Sequence, residues 1–382
     1  MVRFPCAVTL FVVGLVGAMP GQAEKAEKAA PAPAGLVDLA ELLAPIRQKH
    51  DVPALGAAVL VDGTLVALGV DGVRKIDDAA KVTVDDRWHL GSCTKAMTAT
   101  LLARYVEQGK LQWTTTVAEA LPDLRPGMHE RSRSITVQQL LAHRAGLPGG
   151  PPGDLWRRLW EWQGTLREAR TETATAMLRV EPRTEPGATY LYSNAGYMVA
   201  GSIAERLGDA AWEELLQREL WAPLGITSGG FGIPGDKDAV VQPFGHRRTL
   251  ARRVAVFEDN PPALGPAGTA HMTLRDWAKF ARLHLGLPGP DGKPLLAEAT
   301  LAAMRTPPGG EYALGWNVTK RGWAQGPILT HTGSNTMWFC VAWLAPDAKF
   351  GVLVACNQGD AAAACDAVAG ECIRKYAPPR MR

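Results

Sequence analysis

Hydrophobic patterning predicts strands at both ends of the chain. Two apolar runs, residues 54–61 and 64–70, are separated by the pair Asp62-Gly63. An Asp-Gly pair between such runs is typical of a tight β-hairpin, because both turn positions require positive φ. Near the other end, the apolar runs 337–344 and 350–356 flank a polar turn and predict a second hairpin. We therefore expect one sheet that takes strands from both ends.

Between and outside these hairpins, apolar residues recur with the spacing of helices. Helices are predicted at about 36–50, 93–108, 137–143, 155–162, 172–180, 195–207, 211–220, 274–285 and 360–376. Strands around a helical middle favour an α+β fold with an antiparallel sheet, in which an α/β sandwich lobe accompanies an all-helical lobe. The expected domain spans residues 36–378, with the sheet lobe at about 36–90 and 310–378 and the helical lobe at about 91–309.

The first 23 residues have the pattern of a secretory signal peptide. Arg3 supplies a positive start, residues 7–19 are apolar, and Gly21 and Ala23 place small residues before a cleavage site. The apolar run is short for a membrane of about 30 Å, so cleavage is favoured over a permanent anchor. Residues 24–35 predict a linker. We expect an exported protein, periplasmic or secreted, without stable membrane insertion after cleavage.

Charge and composition exclude several functions. The 382 residues carry 41 Lys and Arg against 38 Asp and Glu, with no basic stripe, so nucleic acid is not an expected partner. The eight histidines show no HExxH and no other metal-ligand spacing, so no metal is expected. Nothing in the pattern indicates an oligomeric state.

Five cysteines remain after Cys6 is removed with the leader, and an odd number leaves at least one thiol free. They are Cys93, Cys340, Cys356, Cys365 and Cys372. Cys340 and Cys356 fall on adjacent predicted strands. A cross-strand disulfide and a pair of buried free thiols are both open, and free thiols are slightly favoured.

The strongest candidate chemistry is Ser92-Cys93-Thr94-Lys95, which follows Gly91 at the expected start of a helix. Residues i and i+3 share a helical face, so the Lys95 amine can lie beside the Ser92 hydroxyl. A serine nucleophile needs such a base, and burial lowers the pKa of a lysine toward that role. Free N–H groups at the helix start can stabilise an oxyanion. Alone, the motif is also explained by a capping serine and a solvated lysine.

Two further motifs follow in order along the chain. Tyr192-Ser193-Asn194 precedes a predicted helix, where an asparagine N-cap is the ordinary explanation. His331-Thr332-Gly333-Ser334 leads into the strand expected at 337–344. A helix-start S-x-x-K, a loop Y-x-N and a late H-T-G are together the three walls of one known kind of active site.

With these motifs the chain resembles the serine β-lactamase and penicillin-recognising superfamily, in the branch of class C β-lactamases, D,D-carboxypeptidases, D-aminopeptidases and related esterases. The likeness covers nearly all of residues 36–376, including the stretch 135–148 and Pro266-Ala267-Gly268, which we interpret as scaffold. It implies a β-lactamase/transpeptidase-like fold and no metal or organic cofactor.

The resemblance implies a role for each residue of the first two motifs. Ser92 would be the acylated nucleophile. Lys95 and Tyr192 would share the general-base and general-acid work, with nearby positive charge favouring the tyrosine phenolate. Asn194 would hydrogen-bond Lys95 and the acyl side chain of the substrate.

The third motif would complete the site. The backbone N–H groups of Ser92 and Ser334 would form the oxyanion hole, and His331, Thr332 and Gly333 would bind the substrate carboxylate or leaving group. Class C β-lactamases carry lysine at the position of His331, and neutral imidazole offers a carboxylate less positive charge.

The expected function is that of an exported serine hydrolase that acts through an acyl-enzyme on an ester or peptide-like amide. Its substrate would be a small molecule or peptidoglycan-like, with β-lactam hydrolysis secondary. The alternative is a penicillin-binding sensor without turnover, or an inactive scaffold of the same fold.

Overall fold

The computed structural model describes residues 35–250 and 252–379. The predicted signal peptide and all but the last residue of the predicted linker lie outside these residues. Within the described ranges, no helix is long and apolar enough to cross a membrane. The division of 36–378 into two lobes stays a prediction.

A seven-stranded sheet forms the centre of the fold. The described residues form twelve strands in all, of which seven belong to this sheet: β1 (Val37–Asp38), β2 (Ala54–Val61), β3 (Thr64–Gly72), β4 (Arg87–His89), β5 (Gly230–Phe231), β6 (Gly245–Arg248), β7 (Arg253–Val256), β8 (Ala270–Thr273), β9 (Asn317–Thr319), β10 (Ile328–Ser334), β11 (Phe339–Ala345) and β12 (Phe350–Cys356). The central sheet has the order β1-β3-β2-β12-β11-β10-β9, and only β1 with β3 is parallel. The antiparallel pairing of β12 with β2 joins the two chain ends, so that prediction is confirmed.

Helices cover the sheet and form most of the middle of the chain. They are α1 (Ala40–His50), α2 (Thr94–Glu107), α3 (Val117–Ala120), α4 (Glu130–Arg133), α5 (Val137–Leu141), α6 (Gly153–Trp160), α7 (Leu166–Arg179), α8 (Asn194–Gly208), α9 (Trp212–Leu216), α10 (Gly265–Gly268), α11 (Leu274–His284), α12 (Glu298–Arg305) and α13 (Ala362–Tyr376). The mixed fold class is confirmed. Helix α7 begins before its predicted start, because Thr165 and Glu168 form a capping box.

Side-chain alternation gives the central sheet two apolar faces. Val59 and Val354 pack with residues of α1 and α13 on one face. Leu60 and Leu353 face the other way and join the larger apolar cluster that includes Trp277 of α11. Because successive strand residues point to opposite faces, burial of both faces places the sheet between helical layers.

The range predicted to be all-helical, residues 91–309, also contains short strands. Strands β5 and β8 lie within residues 91–309 and form a three-stranded sheet with β4, and β6 pairs with β7. Each of the four strands in this range has only two to four residues. Such short strands show no alternation that could be distinguished from loop sequence.

The H-T-G motif lies on its own strand, β10, instead of leading directly into the strand predicted at 337–344. β10 pairs with β11 along its length. Its apolar run before the motif is only Ile328-Leu329, too short to predict a separate strand.

The disulfide considered between Cys340 and Cys356 is excluded by the sheet register. Cys340 lies opposite Ala355 and Cys356 opposite Phe339, so the two side chains point to opposite faces. Cys340 belongs to the larger cluster and Cys356 to the cluster with α1 and α13. All five cysteines of the described residues are buried and free.

Candidate active site

Ser92 lies in a single 3₁₀ turn, Gly91–Cys93, directly before α2. Gly91 has a φ of +46°, and a Cβ at this position would lie 2.3 Å from the backbone nitrogen of Ser334. Only glycine permits both the backbone conformation and the contact. The end of β10 therefore lies against the Ser92 turn, and the predicted oxyanion-hole residues Ser92 and Ser334 meet at this junction.

Four of the predicted side chains form one hydrogen-bonded cluster. The Ser92 hydroxyl lies 3.0 Å from Lys95 Nζ and 2.7 Å from Tyr192 Oη. Lys95 Nζ also donates to Asn194 Oδ1 at 2.7 Å and to the carbonyl of Ala267 at 2.6 Å. The groups come from the 3₁₀ turn, from α2, from the loop before α8, from α8 and from α10. Tertiary folding brings together residues about a hundred positions apart, as the motif order predicts.

Lys95 is completely buried, with 0% of its surface exposed. Burial lowers the pKa of its amine to about 7, an effect that the neighbouring Cys93 sulfur partly opposes. Both the amine and the ammonium form are therefore populated near neutral pH. The amine form can accept the Ser92 proton while it donates to Asn194 and Ala267.

Tyr192 favours the neutral phenol, whereas the sequence predicted a phenolate. Burial raises the pKa of its phenol to about 12, although the hydrogen bond with Ser92 opposes the shift. The expectation of a phenolate at neutral pH is therefore wrong. The physical reason is desolvation of the phenol oxygen, which lies beside Ser92 in the cluster, although 36% of the Tyr192 surface as a whole is exposed. The cluster thus contains a base and an acid at neutral pH.

The N-cap of α8 is Ser193 and not Asn194. The Ser193 hydroxyl accepts a hydrogen bond from the Gly196 backbone N–H at 2.9 Å. This capping bond satisfies the helix start without the asparagine. The Asn194 amide is consequently available to accept from Lys95.

The H-T-G strand presents its residues alternately. His331 and Gly333 are buried, whereas Thr332 and Ser334 are exposed. His331 Nε2 lies 2.9 Å from Tyr312 Oη, and Nδ1 lies 2.6 Å from the Thr332 carbonyl. The imidazole is therefore bonded to Tyr312 and to its own strand, while Thr332 and Ser334 are the members of this motif that face solvent.

His143, which the sequence suggested only as scaffold, packs against Tyr192 and bonds the residues on either side of it. Its carbonyl accepts from the Leu191 N–H at 2.7 Å, and its Nδ1 accepts from the Ser193 N–H at 3.0 Å. The imidazole and phenol ring centroids lie 4.2 Å apart. Burial lowers the pKa of His143 well below its ordinary value, which keeps Nδ1 unprotonated. The available sequence signal was a histidine that ends a buried apolar helix.

Tyr312 is a second residue that sequence reasoning missed. It is 3% exposed and provides the phenol that contacts His331. It lies in an irregular segment between α12 and β9, and no motif around it indicated a position beside the site.

Comparisons with known proteins identify the family and the fold of the chain. The Beta-lactamase family model matches residues 39–369. Penicillin-binding protein 4 of Amycolatopsis lactamdurans is 32% identical over 289 residues, which cover 74% of this chain and 73% of that protein. The Unguisins hydrolase ungD of Aspergillus violaceofuscus is 26% identical over 354 residues, or 80% of this chain and 58% of that longer protein.

Among solved structures, the β-lactamase/D-alanine carboxypeptidase from Pseudomonas syringae superposes with a TM-score of 0.70. The match covers 89% of this chain and 99% of that one at 22% identity, so it concerns the fold. The family match extends over most of the chain, from α1 into α13. The chain therefore belongs to the beta-lactamase family.

Proposed function

We propose that this protein is a serine hydrolase that forms an acyl-enzyme at Ser92 on an ester or peptide-like amide. One observation carries the proposal: a completely buried Lys95 amine, with a pKa of about 7, lies within hydrogen-bond distance of the Ser92 hydroxyl. A serine beside a base that is partly unprotonated at neutral pH has the activation that a nucleophile requires.

In the acylation step, Ser92 Oγ attacks the substrate carbonyl and passes its proton to Lys95 Nζ. The developing negative charge on the carbonyl oxygen faces the backbone N–H groups of Ser92 and Ser334. Tyr192, which is protonated because burial raises its pKa to about 12, donates its proton to the leaving oxygen or nitrogen. The products are an acyl-serine, a Lys95 ammonium and a Tyr192 phenolate.

In the deacylation step, water attacks the acyl carbon and transfers a proton to the Tyr192 phenolate. The departing Ser92 oxygen regains its proton from the Lys95 ammonium. Both groups thus return to their starting protonation states, and no metal or cofactor takes part. Asn194 would orient Lys95 and the acyl side chain throughout.

The substrate we propose is a small molecule or a peptidoglycan-like peptide. The names of two relatives, a penicillin-binding protein and an unguisins hydrolase, support an acyl substrate of this kind. His331 is bonded to Tyr312 and is 4% exposed, which supports weak carboxylate recognition at this motif. We therefore place β-lactam hydrolysis second to ester or D,D-peptide hydrolysis.

Export is part of the same proposal and rests on the leader-like first 23 residues. The mature protein would be periplasmic or secreted. The mass of the protein recovered from the cell envelope and the medium tests this: cleavage after Ala23 is expected, and an intact amino terminus in the cytosol would contradict it.

A substrate panel tests the hydrolase itself. p-Nitrophenyl esters, D-Ala-D-Ala peptides, D-amino-acid amides and nitrocefin are offered to the wild type, to Ser92→Ala and to Ser134→Ala, whose serine is exposed on the surface. We expect ester or D-peptide turnover in the wild type and in Ser134→Ala, and a loss of at least about 10³-fold in Ser92→Ala. Equal turnover in both variants would reject Ser92 as nucleophile.

The name of the 32% identical relative favours one alternative, a penicillin-binding protein that is acylated without turnover. A fluorescent penicillin or a fluorophosphonate label at Ser92 separates the cases. Labelling together with turnover of an ester, a D-peptide or penicillin indicates a hydrolase. Permanent labelling without turnover of any panel substrate indicates a sensor, and failure of both labels indicates an inactive scaffold.

A further inference from the structure

Two buried thiols lie directly behind the proposed nucleophile. Cys93 follows Ser92 in the same turn, and Cys340 lies on β11 opposite Gly333 of the H-T-G motif. Their sulfur atoms are 3.5 Å apart. Cys93 is 1% exposed and Cys340 is 0% exposed.

The glycine of the third motif makes this approach possible. A Cβ at Gly333 would lie 2.0 Å from the Leu90 carbonyl and 2.8 Å from Cys340 Sγ. Cys340 Sγ contacts the same Leu90 carbonyl at 3.2 Å, and Cys93 Sγ contacts the His331 carbonyl at 3.4 Å. The two sulfurs therefore lie where the Ser92 turn packs against β10.

The acidities of the two thiols differ. Burial opposes ionisation of Cys93, but the hydrogen bond from Cys340 and the nearby His331 and Lys95 outweigh it and lower the pKa to about 6. Burial raises the pKa of Cys340 well above its ordinary value. A thiolate next to a protonated thiol is the arrangement in which one sulfur attacks a disulfide and the other resolves the intermediate.

We propose that Cys93 and Cys340 form a disulfide that fastens the Ser92 turn to strands β10 and β11 and fixes the oxyanion hole. A disulfide has an S–S distance of about 2.05 Å, so the sulfurs must approach by about 1.5 Å. The remaining described cysteines are buried elsewhere: Cys356, Cys365 and Cys372 all belong to the cluster on the opposite face of the sheet. This pairing leaves those three as thiols.

The oxidant is a disulfide, either of a thiol–disulfide oxidoreductase in an oxidising compartment or of glutathione during refolding. The Cys93 thiolate attacks it and releases one thiolate, giving a mixed disulfide. The Cys340 sulfur, after losing its proton, attacks Cys93 Sγ and releases the second thiolate. Two protein thiols become one disulfide, and the two protons and two electrons they lose reduce the oxidant to two thiols. Because the sulfurs are buried, the exchange belongs to folding.

Thiol counting on the full-length chain tests the bond. The protein is refolded with a mixture of oxidised and reduced glutathione, denatured, and alkylated with N-ethylmaleimide before or after reduction. We expect two additional alkylated thiols after reduction, and a linked pair of tryptic peptides, 88–95 and 322–349, that reductant separates. Equal alkylation before and after reduction, or a linkage between other cysteines, would overturn the proposal.

Matched serine variants assign the pair. Cys340→Ser is expected to abolish the gain of two thiols, whereas Cys356→Ser, on the adjacent strand and the opposite face, is expected to keep it. A gain of two that persists in Cys340→Ser contradicts the pairing. Mass spectrometry of the wild type requires no variant, so a variant that fails to fold leaves the bond testable.

The effect on the site is measured on wild-type protein refolded in oxidised and in reduced form. The reduced form should have a Tm lower by at least about 3 °C, because it loses a long-range crosslink. Its acylation rate should fall at least about threefold, because the oxyanion donors are less firmly placed. Equal rates in the two forms would refute the fixing role. The measurement of the acylation rate rests on the proposed function, whereas thiol counting does not. A protein without acylation can therefore still show the disulfide, and the two proposals can fail separately.

Discussion

Lys95 is the residue whose protonation state would control the proposed chemistry. Its amine lies among three acceptors, Ser92 Oγ, Asn194 Oδ1 and the Ala267 carbonyl. The ammonium form can donate to all three. The amine form keeps two donors for Asn194 and Ala267 and directs its lone pair to the Ser92 proton. Both forms therefore fit the same side-chain geometry, and proton transfer needs no rearrangement of the lysine.

The pH dependence of acylation follows from two pKa shifts of opposite sign. Because burial lowers the Lys95 pKa to about 7, the fraction of free amine falls as the pH drops below 7, and kcat/KM should fall about tenfold per pH unit. Because burial raises the Tyr192 pKa to about 12, no decrease is expected up to about pH 10. Initial rates with a p-nitrophenyl ester, corrected for spontaneous hydrolysis, provide the profile. A plateau that extends to pH 5.5 would exclude Lys95 as the base.

Gly91 allows the Ser92 turn to pack closely against β10. Gly91→Ala places a Cβ 2.3 Å from the Ser334 nitrogen and also requires alanine to adopt a φ of +46°. The Ser92 turn and β10 must then separate, so the acylation rate should fall by at least about 10²-fold, as when one oxyanion donor is removed.

The matched control for this change is Gly109→Ala. Gly109 has a φ of +70° but open space around its Cβ, so the substitution there tests the backbone strain alone. Both variants should lose about 1–2 kcal/mol of stability to that strain in urea unfolding, and only Gly91→Ala should lose activity. Similar activity losses in both would show that the contact with Ser334 is unimportant.

Local signals predicted the long helices and the two hairpins of the central sheet. The Asp62-Gly63 turn has positive φ at both positions, and helices α2, α8 and α11 begin and end within about two residues of their predicted bounds. These elements carry strong apolar periodicity or a turn that few residues allow. Their signals are contained within the element itself.

Elements that depend on distant partners were not predictable in the same way. β10 is defined by pairing with β9 and β11, and its own sequence around the H-T-G motif is half polar. The hydrogen bond between His331 and Tyr312 also joins distant parts of the chain, as do the hydrogen bonds of His143 to the residues on either side of Tyr192. Motif order predicted that Ser92, Lys95, Tyr192 and Asn194 would converge, but the charge state of Tyr192 depended on burial, which spacing does not reveal.

The turn after α5 and the loop before α8 form one unit through His143. We expect His143→Ala to reduce kcat at least about tenfold with less than a threefold change in KM, because Tyr192 loses its fixed position while the substrate contacts remain. His143→Asn should retain more activity. Its amide oxygen can accept from Ser193 in place of Nδ1, and asparagine tolerates the positive φ of 54° at this position.

Steady-state kinetics and urea unfolding of both His143 variants separate positioning from folding. If Asn rescued stability but not kcat, the imidazole itself would be required next to Tyr192. If Ala and Asn lowered kcat equally in proportion to stability, His143 would be only structural.

For the whole molecule, the proposed site depends on the two chain ends and the middle meeting at one place. Ser92 and Lys95 come after the first hairpin, Tyr192 and Asn194 from the middle, and Ser334 from the last strands of the central sheet. A change that loosens the assembly should therefore affect activity before it abolishes local structure. Acid is one such change, since the fold buries several uncharged histidines.

Acid should destabilise the whole fold. Burial lowers the pKa of His246 and His271 to about 4 and that of His284 to about 3. Below their unfolded pKa of about 6.5, the unfolded chain binds protons that the folded chain does not. The free energy of unfolding should therefore decrease as the pH falls from 6.5 to about 4, by up to about 1.4 kcal/mol per pH unit for each histidine.

Urea unfolding between pH 7.5 and 4.5 measures this slope, and single substitutions assign it. His246→Asn should reduce the slope by about one proton, whereas Gln48→Asn, an exposed non-titrating position of α1, should leave it unchanged. A free energy of unfolding that stays constant to pH 4.5 would contradict the burial of neutral imidazoles. Activity and stability are then lost in different pH ranges. The loss of activity just below pH 7 should reverse when the pH is raised again, because it reflects protonation of Lys95 in a protein that is still folded.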